Sequence, residues 1–378
     1  MELKKERNSN IELLRIIAMY CIMLKHCLAW GVYLNDSTPL SMKWFINCTD
    51  FIHVFGNYSF ILITGYFIFN SKITARKIAV IWLTTLEISI FFGLIFFITK
   101  IKTIGFDGVE EFFKSDFSTA AKPIGKKDLF KSFFPVLYRN NWYATTYIVF
   151  LFFVPYLQKG MKLMEQKAHK NLIILFVVFG TVIPLWPHQK IFTESNLFYF
   201  VMAMAIGSYL QKYGDFKISM KTRIVTTALF LVVFITWKPS VLFLSSKNSF
   251  LANHNNFLLS MPYYWMDRFP IFLFTTLVFS IFKDINIKPN KIFNTFASTT
   301  FGIYLIHENT IFKFYFWHRI CKFDEMQTSK NFLPYLILCV TASFITFGLL
   351  DLIRQKTIHN LLMKIFDKIY AKKNEKNN

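Results

Sequence analysis

Residues 78–98 read IAVIWLTTLEISIFFGLIFFI, an apolar run broken by a single charge, Glu87. About 20 such residues are what an α-helix needs to cross a hydrocarbon core roughly 30 Å thick. Comparable runs lie on both sides of it: Ile11 to Leu34, Phe51 to Phe69, Tyr143 to Leu157, Asn171 to Pro187 and Asn196 to Leu210. They continue with Thr222 to Trp237, Arg268 to Phe282, Phe296 to Phe316 and Phe332 to Leu352. A backbone in lipid must satisfy its own hydrogen bonds, so each run is expected to be helical. The predicted fold is an all-α polytopic membrane bundle of about ten transmembrane helices, the shorter runs being open to re-entrant or mismatched arrangements.

Composition agrees. Of 378 residues, 54% are hydrophobic, 47 are Phe and only 17% are charged, with a mean hydropathy of +0.38. So much apolar surface exceeds what a soluble domain of this length can hide. The net charge of +21 sits in short Lys/Arg clusters between the runs, which argues against a nucleic-acid partner and for membrane topology.

With the N-terminus inside, alternate connections carry the basic clusters: Lys72, Arg76 and Lys77, then Lys159 to Lys170, Lys212 to Arg223, and Lys283 to Lys291. Both termini are then cytoplasmic. The segment Thr99 to Asn141, with seven lysines and Arg139, is placed outside against the rule, which weakens for long loops. Lys4, Lys5 and Arg7 precede the first run in the manner of a signal peptide, but Glu12 and Arg15 interrupt it and no small-residue cleavage site follows, so it is read as a retained helix. Residues 1–357 form the transmembrane domain, and 358–378 a basic amphipathic cytoplasmic tail whose stretch Ile358 to Ala371 lies on the inner leaflet.

Ionisable side chains at membrane depth cost several kcal/mol unless paired or wetted, which makes them candidates for function. On the first helix Glu12, Arg15 and His26 project within an arc of roughly 60°, with His26 about 16 Å deeper than Arg15. A guanidinium suits phosphate and an imidazole suits proton transfer. A cytoplasmic acyl-CoA held at its phosphates by Arg15 would therefore place its thioester near His26. The plain alternative is an arginine snorkelling to headgroups and a histidine bonded to a neighbouring helix.

His307 and Glu308 lie at a depth similar to His26, so a carboxylate could accept the second imidazole N–H and fix its tautomer. Adjacent residues point about 100° apart, so one of the two is expected to face the site, preferably Glu308. Glu87 is expected to be a structural pairing as readily as a catalytic group. His53, Asn57 and Tyr58 with Trp142 and Tyr143 offer sugar-binding groups, or else an interfacial aromatic belt. The five cysteines show no CxxC or Cys/His spacing, and no metal is expected.

The stretch Arg7-Asn8-Ser9-Asn10-Ile11-Glu12-Leu13-Leu14-Arg15, followed by His26, resembles the opening signature of membrane acyltransferase family 3. Phe60 to Phe67 resembles that family's second helix. Phe133 to Leu137 with Trp142, Tyr143 and Tyr147 resembles the entry to its fourth, and Thr300 to Asn309 a late helix of its Gram-positive members. The resemblance implies a polytopic O-acetyltransferase with His26 catalytic and Arg15 on the donor. The family's basic pair falls on Arg76, here with Lys77 beside it and no second arginine a turn later; Lys77 is a point charge without bidentate geometry.

The expected site therefore has His26 and Glu308 as catalytic residues and Arg15, Arg76 and Lys77 on the donor. Glu12, His53, Trp142, Tyr143 and His307 are expected on the substrate. The donor is acyl-CoA, most simply acetyl-CoA, and the acceptor a cell-surface polysaccharide or lipid-linked glycan. Membrane lipids surround the chain in the plasma membrane, and a homo-oligomer is compatible with this reading. Whether His26 acts as general base or carries the acyl group covalently is open. The rival from another class is a polytopic transporter of polysaccharide or lipid-linked sugar.

Overall fold

In the computed structural model the apolar runs become helices, and the fold is 79% helical with almost no strand among the described residues. The structure describes residues 8–33, 38–138, 141–185, 195–214, 217–263 and 266–375. Lys4, Lys5, Arg7, Leu34, Arg139, Pro187 and the end of the tail lie outside them.

Helices α1 (Ser9–Gly31), α2 (Leu40–Cys48), α3 (Ile52–Ile68) and α4 (Ala75–Thr99) come first. The segment after α4 holds the antiparallel pair β1 (Lys102–Thr103) and β2 (Lys122–Pro123) with short helices α5 (Val109–Lys114), α6 (Phe117–Ala120) and α7 (Lys126–Ser132). Then follow α8 (Trp142–Leu163), α9 (Gln166–Val177), α10 (Asn196–Tyr213), α11 (Met220–Ser245), α12 (Ser249–Asn253), α13 (Asn255–Ser260) and α14 (Phe269–Asp284). The chain ends with α15 (Lys291–Ala297), α16 (Thr300–His307), α17 (Phe312–Tyr315), α18 (Phe323–Met326), α19 (Phe332–Arg354) and α20 (Asn360–Glu375).

Among the described residues, four helical stretches are long and apolar enough to cross a membrane: Leu40–Ile68, Ala75–Thr99, Met220–Ser245 and Phe332–Lys372. The other runs yield helices that are shorter, broken or more charged. α14 has 16 residues, α9 passes into π- and 3-10-helical turns, and α1 contains Glu12, Arg15 and Lys25. The run from Phe296 to Phe316, expected as one helix, breaks between α16 and α17. The last run extends beyond its expected end, since α19 continues through a π-helical stretch, Gln355–His359, into α20.

The chain divides into two units. The first comprises residues 1–25, 34–72 and 152–297. Within it α3 and α10 approach at backbone distance: a Cβ on Gly65 would collide with the Ala203 carbonyl, and one on Gly207 with the backbone of Tyr66. Small residues permit such contact where two helices meet in lipid. The start of α1 is tied down by its polar residues. Ser9 Oγ donates to Asn294 Oδ1 at 3.0 Å, and Asn10 accepts from the Ile287 N–H at 2.8 Å.

The second unit comprises residues 26–33, 73–151 and 298–378, so α1 changes unit between Lys25 and His26. Its segment 101–138 is structured, with Ile104, Phe112, Phe117, Ala120, Ala121 and Phe314 in a small core against which Trp30 and Tyr33 pack. Hydrogen bonds from Lys127 and Lys131 hold the exposed Asp107 carboxyl down at about 2.

Candidate active site

His26 and Trp30, one turn apart on α1, share a helix face within the second unit. α16 stops at His307 because Asn309 supplies a local alternative to helical bonding. Its Oδ1 accepts from the backbone N–H groups of Ile311 at 3.1 Å and Phe312 at 3.2 Å. Such an Asx-type turn starts a new helix in a new direction. Lys313, in the first turn of α17, is thereby folded back onto Glu308.

The result is a compact polar cluster. His26 Nδ1 lies 3.0 Å from His307 Nε2 and 3.0 Å from Glu308 Oε2. Lys313 Nζ donates to Glu308 Oε1 at 2.5 Å, and the Trp30 indole N–H donates to Oε2 at 3.2 Å. The same ammonium sits 3.7 Å from the centre of the Trp30 ring, a cation–π contact that gains strength when desolvated. Glu308 and Lys313 are buried, with side-chain exposures of 10% and 8%, while His26 keeps 19%. A buried charge is tolerated when it is paired and hydrogen-bonded; here an ammonium, an indole and an imidazole converge on one carboxylate.

These contacts assign the ring protons. His307 Nδ1 faces the Ile303 carbonyl at 2.7 Å, and a carbonyl only accepts, so Nδ1 carries the proton and Nε2 is an acceptor. His26 Nδ1 then faces two acceptors, His307 Nε2 and Glu308 Oε2, and must be the donor to both. In the neutral ring its second nitrogen, Nε2, then carries the lone pair. That arrangement is a base whose conjugate acid is stabilised by a carboxylate. His307, His26 and Glu308 also present three ligand-type atoms within 4.8 Å of one another, the donor set a cation would use, although Lys313 already sets a positive charge on the same carboxylate.

The other candidates lie elsewhere. Tyr143 packs on Tyr304 with ring centres 5.9 Å apart, Tyr304 lies 6.1 Å from His307, and Trp142 lies 5.7 Å from Tyr143. An aromatic chain thus leads from α8 to the cluster. Arg76 is exposed and paired with Asp367 of α20, Nε to Oδ1 at 3.0 Å. Lys77 is exposed beside it, its backbone N–H capped by Thr74. Glu87 is bonded by Arg354 and by His359 at 2.8 Å, a structural pairing.

In the first unit Arg15 is engaged by Glu12 of its own helix at 2.7 Å. His53 Nδ1 donates to the Asp50 carbonyl at 2.8 Å, and the Asp50 carboxylate is shared by Lys25 and Lys238. His307 and Glu308 both reach His26, where the regular helical spacing predicted only one. The helix ends between them, so the 100° rule ceases to apply. Lys313 and Trp30 belong to the cluster without having stood out in the sequence. Lys313 was visible as a charge within an apolar run; an uncharged indole gives hydropathy no signal.

The profile of the family described as Acyltransferase domain matches residues 8–351. No match was found among curated proteins or among solved structures. The matched region spans nearly the whole chain and contains His26, His307, Glu308 and Lys313, and the chain belongs to membrane acyltransferase family 3.

Proposed function

We propose that this protein is a multi-pass O-acyltransferase of the plasma membrane, of the Gram-positive type. It moves an acetyl group from cytoplasmic acetyl-CoA to a hydroxyl of an extracytoplasmic or lipid-linked polysaccharide. About ten crossing segments with both termini in the cytoplasm would carry it, without a metal.

The observation that supports this best is the 3.0 Å contact of His26 Nδ1 with Glu308 Oε2, which in the neutral ring leaves the lone pair on Nε2. The acceptor hydroxyl gives its proton to Nε2 as its oxygen attacks the thioester carbonyl. The tetrahedral adduct expels the CoA thiolate, which takes the proton from Nε2, leaving an acetyl ester and CoA thiol. Glu308 stabilises the imidazolium between these steps, and Lys313 and Trp30 hold the carboxylate in place. Arg15, Arg76 and Lys77 are the proposed partners of the CoA phosphates, exchanging Glu12 and Asp367 for them. His53, Trp142 and Tyr143 are proposed for the sugar.

The test is transfer of labelled acetyl from acetyl-CoA to purified glycan in proteoliposomes. A transporter would leave the label on CoA. His26→Ala is expected to lower transfer by on the order of 10²- to 10⁴-fold, the usual share of a general base, with the protein still in the membrane. Full transfer by that variant would remove the mechanism.

A further inference from the structure

His318 lies in the π-helical turn Phe316–Ile320 that follows α17, and its side chain is fully buried. Its ring is stacked between Phe117, with centres 5.1 Å apart, and Tyr33, at 5.3 Å. Both nitrogens are engaged. Nε2 faces the Trp30 backbone carbonyl at 2.8 Å and Nδ1 faces Asp324 Oδ1 at 2.7 Å. A backbone carbonyl only accepts, so Nε2 carries a proton and donates it to Trp30, while Nδ1 shares its hydrogen bond with the Asp324 carboxyl.

The Trp30 carbonyl is near the C-terminal end of α1, where backbone carbonyls lack helical partners. A side-chain N–H supplies the partner that such a carbonyl lacks. The indole of the same residue donates to Glu308, and its face carries the Lys313 ammonium. Trp30 therefore joins two histidine–carboxylate pairs, with His26 and Glu308 on one side and His318 and Asp324 on the other.

We propose that His318 is a positioning residue for acyl transfer: its Nε2–H fixes the end of α1, and through Trp30 it holds the Glu308 carboxylate against His26. The proposal rests on the reading of His26 and Glu308 as the transfer machinery. His318 touches none of those groups directly, so its effect falls on turnover and leaves donor and acceptor affinity alone.

Two substitutions separate positioning from packing. His318→Phe keeps an aromatic ring between Phe117 and Tyr33 but removes both nitrogens. His318→Gln gives up the stack but can place an amide N–H where Nε2 was. Full-length protein in proteoliposomes is compared for kcat and KM of acetyl transfer, with His26→Ala alongside. The Phe variant is expected to lose on the order of 10- to 100-fold in kcat, as when an outer partner that orients a histidine is removed. KM should stay within about twofold and the Gln variant should recover most of kcat. A Phe variant with full kcat, a Gln variant no better than Phe, or a change confined to KM would each overturn the proposal. If wild type transfers nothing, or His26→Ala remains active, the underlying reading fails instead.

Discussion

At the scale of single residues, the cluster depends on how many donors hold Glu308. A hydrogen bond to a charged group contributes about 1.5–3 kcal/mol, which corresponds to roughly 10- to 100-fold in rate at 1.4 kcal/mol per decade. Trp30→Phe removes the indole donor and keeps an aromatic face for Lys313, so acetyl transfer should fall within that range. Lys313→Met takes away the only ammonium bonded to the carboxylate among the described residues and should fall further, since an unpaired buried charge costs about 3–5 kcal/mol. Steady-state transfer rates check both. Equal activity in the two variants would show that the ammonium adds nothing beyond the indole.

At the scale of elements, the break between α16 and α17 does the positioning. Asn309→Ala removes the side-chain oxygen that accepts from Ile311 and Phe312, and loss of such a cap costs about 1 kcal/mol. The thermal midpoint should drop by a few degrees, while transfer drops more steeply because Lys313 loses its register with Glu308. A fall in stability with unchanged specific activity would refute that coupling. This break also marks the limit of what could be read from residues alone. Hydropathy located the run, and the ionisable pair His307 and Glu308 stood out within it because charge in an apolar stretch is rare. A single buried asparagine then outweighed the helical period, and its turn brought together groups that regular spacing would have kept apart. Segment 101–138 was legible only as a charged loop, because its few aromatic core residues are too sparse to show a period.

At the scale of the whole molecule, the all-helical class with apolar helices of membrane length was legible in composition, whereas the number of crossings was not, because several helices are shorter or more charged than a full span requires. The proposed orientation is open to direct measurement. In a cysteine-free background, a cysteine replacing Lys122 should react with an impermeant maleimide in intact cells, and one replacing Lys162 only after permeabilisation; the reverse pattern would invert the topology. Lys313 lies five residues after Glu308, and Trp30 four after His26. Neither interval can gain or lose a residue without turning one partner away from the other. Inherited insertions and deletions should therefore spare both stretches, leaving His-x-x-x-Trp early and His-Glu-x-x-x-x-Lys late as strings of fixed length. Relatives that have exchanged the lysine should supply a cation from another position.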